Sequence, residues 1–161
     1  MQCAVPNDFV SIEGMHIHGC GSNGVGASFS EDLWITGNHI HDAAGGMTLS
    51  PIGDRTIVEG NHIHDTDSGA VYAESGQSDI DMGGDGIPDG VVISRNLVER
   101  TGAGGGAGLN LAGVRAAVIV NNLLLENLAA GIALFENMAS PSTGCLVAQC
   151  LRRWVTPVAF E

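Results

Sequence analysis

The stretch Asn38-His39-Ile40-His41-Asp42 returns almost unchanged as Asn61-His62-Ile63-His64-Asp65, 23 residues further on. Reading outward, Ile35 before the first Asn answers to Val58 before the second. Each copy is followed by a glycine-containing turn and a short apolar run, Met47-Thr48-Leu49 and Val71-Tyr72-Ala73. Ile12-Glu13-Gly14-Met15-His16-Ile17-His18 fits the same frame 23 residues upstream. Ile93-Ser94-Arg95-Asn96-Leu97-Val98 and Ile119-Val120-Asn121-Asn122-Leu123-Leu124 fit it downstream, without the histidines. Five copies of one unit account for most of the chain, and a fixed period in this range specifies a solenoid.

The apolar residues decide which kind. Ile17, Ile40, Ile63, Val98 and Leu124 alternate with outward-tolerant neighbours, which reads as short strands with one buried face. No unit has room for the longer spacing that a helix needs. Each unit is therefore a coil of about three strands joined by tight turns, with equivalent strands stacked in parallel. Glycines at 37, 60, 45, 46 and 69 supply the corners. Asn38, Asn61, Asn96 and Asn122 fall in one column, where stacked amides hydrogen-bond along the axis. The predicted fold is all-β, a right-handed parallel β-helix solenoid of about five coils with one strand per face. At about 4.8 Å per coil the stack is about 24 Å long.

These repeats resemble those of pectin-lyase-like right-handed parallel β-helix proteins over residues 9–136. The resemblance implies a carbohydrate-active module that binds or hydrolyses a polysaccharide or oligosaccharide along an exposed strand groove. It implies a secreted setting, extracellular or periplasmic at the cell surface, and a longer parent chain with further domains. A non-catalytic structural or adhesive solenoid is the alternative, because one fold carries many activities.

Residues 1–8 are a lead-in, 9–136 the repeats, and 137–161 an irregular tail or cap. Within the tail, residues 145–154 suggest a helix lying over the last coil. Asn61 to Asn96 is longer than the other repeat intervals, and an inserted acidic loop at 77–90 accounts for the difference. The chain of 161 residues carries a net charge of −12 and no lysine, which excludes nucleic acid and anionic membrane surfaces as partners. No apolar run is long enough for membrane insertion. Cys3, Cys20, Cys145 and Cys150 form no metal-type pair and suggest no disulfide framework.

All six histidines fall in two columns, His16, His39, His62 and His18, His41, His64. Residues two apart on a strand share a face, so with Ile inside both columns point out. Neutral imidazoles at this spacing suit Zn²⁺ or Cu²⁺, with His39, His41, His62 and His64 at the centre of the grid. Stacked like side chains copied by a repeat are the simpler reading.

By the same resemblance, the groove follows the turn after the second histidine column. Asp42, Asp65 and Asp67 then lie at its rim, and Glu74 is the one carboxylate on a groove strand. Paired carboxylates are what glycoside hydrolysis needs, and these four are the catalytic candidates. Thr48, Tyr72 and Asn110, with Arg100 nearby, are the substrate-binding candidates. A lyase lacks its usual lysine here and is disfavoured. In the inserted loop, Asp79, Asp81, Asp85 and Asp89 lie among glycines and suit a hard cation, Ca²⁺, as the one candidate cofactor.

Overall fold

Each coil turns on residues held in the left-handed backbone region at intervals of five. One such run is Asp32, Gly37 and Asp42; the next is Arg55, Gly60 and Asp65; then Gly90, Arg95 and Arg100; then Ala116, Asn121 and Glu126. All have φ between 48° and 68°. Two such corners bracket each three-residue strand, so the chain changes direction without loops. The structure, a computed structural model, describes residues 7–28, 30–50, 52–74, 87–135, 142–153 and 159–160.

Strands Ser11–Glu13, Trp34–Thr36, Ile57–Glu59, Val92–Ser94, Val118–Val120 and Leu146–Ala148 stack into one parallel sheet. The histidine strands form a second face, in the order His16–Ala27, His39–Leu49, His62–Thr66, Leu97–Thr101 and Leu123–Leu125. His16–Ala27 and His39–Leu49 run on through the third corner. His39–Leu49 thereby joins this face to a third, made with Val71–Glu74, Leu109–Ala112 and Ile132–Phe135. No helix occurs among the described residues, so none is long and apolar enough to cross a membrane.

The middle residue of each short strand points inward. Ile35, Val58, Ile93 and Ile119 from the first face meet Ile40, Ile63, Val98 and Leu124 from the second. All but Leu124 are fully buried, and burying one such side chain contributes on the order of 2 kcal/mol. At the corner between these faces the asparagines stack as the sequence predicts. Asn61 donates its amide to Ile35 O and to Asn96 Oδ1, at 2.9 and 3.0 Å. Asn96 donates likewise to Val58 O and Asn122 Oδ1. Every amide in the column is about 1% exposed, and each is fully hydrogen-bonded inside the stack.

Two readings of the sequence change. Gly37 and Gly60 do take left-handed corners, but Gly45, Gly46 and Gly69 serve close approach between coils instead. A Cβ on Gly46 would lie 2.3 Å from Ala70 O, and one on Gly69 would lie 2.2 Å from Ala107 O. The other change concerns residues 145–154, which are strand and not helix where described. Leu146–Ala148 pairs with Val118–Val120, and Leu151–Arg153 pairs with Leu123–Leu125. Cys150 occupies the column position, where Asn122 Nδ2 approaches its sulfur at 4.0 Å. The unpaired edges of the coil above offer hydrogen bonds that outweigh weak helical patterning.

Candidate functional site

With Ile40 and Ile63 fixed inside, the histidines on either side must face outward. Their rings stack along the axis: His16 on His39 at 4.8 Å, His39 on His62 at 5.0 Å, His18 on His41 at 5.3 Å and His41 on His64 at 4.9 Å. Each stacked pair lies within 8° of parallel. The columns are also tied diagonally. Nε2 of His16 meets Nε2 of His41 at 2.8 Å, and Nε2 of His39 meets Nε2 of His64 at 2.8 Å. His62 Nε2 meets Glu99 Oε1 at 2.7 Å.

Aspartates at the third corner set the proton positions. Asp42 lies 2.8 Å from His41 Nδ1, and Asp65 lies 2.6 Å from His64 Nδ1. An ionised carboxylate only accepts, so in the neutral rings both Nδ1 atoms carry the proton and both Nε2 atoms are bare. His16 and His39 therefore donate from Nε2. Asp65 is further clamped by Arg100, whose Nε and Nη2 donate at 2.7 and 2.8 Å. That guanidinium, and then the His64 bond, hold the Asp65 carboxyl well below the usual carboxylate range. The same pair raises Arg100. Burial first, then the surrounding imidazoles, lowers His39. Among the described residues, the groups His16, His39, His41 and His39, His62, His64 each bring three ligand atoms within 4.8 Å of one another.

On the third face Thr48, Tyr72 and Asn110 are paired in register, half-buried, between inward-facing neighbours. The Asn110 side-chain oxygen is shielded from solvent without a hydrogen-bond partner among the described residues. Glu74 pairs with Ala112 at the end of the same strands; its side chain lies outside the described residues. Asp67 is exposed in the turn, and its carbonyl accepts from the Gly104 amide at 2.5 Å. Asp42 and Asp65 direct their carboxylates to the histidine face. Arg100 is committed to Asp65 and Glu99.

Asp79, Asp81 and Asp85 lie outside the described residues. Asp89 is bound by the Arg115 guanidinium, its Oδ1 2.7 Å from Nε. Arg55 and Arg95 are likewise paired, with Asp32 and Glu59 of the coil before. Cys20, Cys145 and Cys150 carry no disulfide.

Two residues escaped the sequence reading. Glu99 stands in register with His64 and continues the second histidine column. Counting forward from Asn96, as His64 follows Asn61, instead of by the early period locates it. Trp34 is 52% exposed beside Phe9, and together with Val10, Ser11 and Asp32 they line a shallow pocket. Its place on the outer side of Ile35 was the available signal.

A family model described as a right handed beta helix region matches residues 3–147. The chain belongs to that family, and its solenoid is a right-handed parallel β-helix of about five coils. Proteins of this fold are often carbohydrate-active. No curated protein and no solved structure matches the chain.

Proposed function

We propose that this β-helix is a carbohydrate-binding module that holds an oligosaccharide along the third face without cleaving it. The observation that carries the reading is the stripe Thr48, Tyr72 and Asn110, half-buried polar groups in register on one face. Hydroxyl and amide groups set in a row on one face are the kind of polar groups that fix the orientation of a sugar. Family membership supports a glycan as the ligand class. Binding is favoured over hydrolysis because Asp65, held ionised by Arg100, is unsuited to donate a proton, and Asp42 is bonded to His41. The four coil arginines each hold a carboxylate, which weighs against lyase chemistry. A glycan ligand corresponds to a secreted or cell-surface setting, extracellular or periplasmic.

Screening the chain against neutral and acidic oligosaccharides tests this. Retention of at least one glycan class, weakened by Asn110→Ala and by Tyr72→Ala without loss of fold, is expected. No retention of any class leaves the structural, adhesive reading.

A further inference from the structure

The histidine face plays no part in that glycan reading, and its geometry exceeds what stacking alone requires. Six imidazoles copied by a repeat would stack equally well with any ring orientation. Here the rings tilt so that Nε2 atoms of different columns converge at 2.8 Å, twice over. His41 and His64 each have a carboxylate on the far nitrogen, at 2.8 and 2.6 Å. A carboxylate behind a histidine is the arrangement that fixes the tautomer and raises the basicity of a metal-ligating imidazole. It leaves Nε2 of both rings as bare lone pairs facing their neighbours. Tetrahedral coordination at about 2.0–2.1 Å sets ligand nitrogens about 3.3 Å apart. The observed contacts, 2.8 Å at the closest and within 4.8 Å for each whole triad, lie to either side of that value.

We infer that His39 is the shared ligand of two overlapping three-histidine sites, His16/His39/His41 and His39/His62/His64, which together bind one Zn²⁺ or Cu²⁺ ion per chain. Because both triads need His39, they cannot be filled at once. On binding, His39, and His16 where its own triad is filled, move the proton from Nε2 to Nδ1 and stay neutral, so no net proton is released. Imidazole ligands select zinc or copper over magnesium and calcium. The net charge of −12 favours any cation near this surface, so selectivity is part of the test.

The experiment is calorimetric titration of the untagged chain at neutral pH with Zn²⁺ alone, repeated with Mg²⁺. One zinc per chain is expected, and no magnesium uptake. His39→Ala should weaken binding by about tenfold or more. His16→Ala or His62→Ala alone should weaken it by less than about threefold, since the other triad survives. If His39→Ala does not fold, judged by circular dichroism, the double variant His41→Gln/His64→Gln breaks both triads at their outer members and should lose binding equally. Copper-loaded protein should show nitrogen hyperfine splitting in its electron paramagnetic resonance spectrum, absent from whichever variant is used. No zinc uptake, two ions per chain, or zinc affinity unchanged in these variants would overturn the inference.

Discussion

Asn61 Oδ1 accepts two hydrogen bonds from Asn38, one from its backbone N–H at 2.9 Å and one from its side-chain amide at 3.0 Å. The relation repeats between Asn96 and Asn61 and between Asn122 and Asn96. Removing one member strands two donors in a place water does not reach. Asn61→Ala is therefore expected to cost on the order of 3 kcal/mol, lowering Tm by roughly 6–12 °C. A shift below about 2 °C in a calorimetric scan would show that the column is not holding the coils in register.

Gly46 and Gly37 are glycines for different reasons, and substitution separates them. Gly37→Ala meets open space but must adopt φ of 62°, a strain of about 1 kcal/mol. Gly46→Ala drives a methyl into the Ala70 carbonyl and forces two coils apart. Urea midpoints should fall further for Gly46→Ala. Equal losses would mean that the coils yield easily at this contact.

Stability should fall with pH in two stages. His39 binds its proton less readily in the fold than in the unfolded chain. The unfolded state therefore gains protons first as pH drops through about 6.5, and stability declines there. Asp65, lowered in the fold by Arg100, contributes stability that is intact above about pH 4 and is lost below it. Both groups are partly solvated, so each stage is shallow. Urea denaturation across this range should show both declines in the wild type and only the acidic one in His39→Gln.

Asp89 is held by the Arg115 guanidinium. Asp89→Asn is expected to cost less than about 1 kcal/mol, by the same amount with and without calcium. A calcium site on Asp79, Asp81 and Asp85 would show instead as a calcium-dependent rise in Tm that survives Asp89→Asn and disappears in Asp85→Ala. A rise abolished by Asp89→Asn would contradict the ion-pair assignment.

The repeat period, the alternation about Ile40 and Ile63 and the asparagine column were legible because each is a local pattern copied between coils. The corners were legible only in part. Arg100 and Glu126 hold left-handed φ because the corners on either side require it, a tertiary demand that overrides their own preference, whereas Asp42 and Asp65 enter that region more readily. Glu99 was hidden by the insertion, which breaks the count that aligns it with His64. The strands at Leu146–Ala148 and Leu151–Arg153 are too short to alternate visibly, and they form because an open edge lies above them. The register of Thr48, Tyr72 and Asn110 on the third face followed from alternation. The carboxylate–histidine–arginine links did not, since side-chain pairing across coils depends on rotamers that no spacing encodes.

The reading of the third face as a glycan groove is most directly tested by mapping amide chemical shifts of the labelled chain during titration with a retained oligosaccharide. The expected result is that perturbations concentrate at Thr48, Tyr72 and Asn110 and vanish in Asn110→Ala. Perturbations confined to the histidine face or to the sheet containing Trp34 would contradict it.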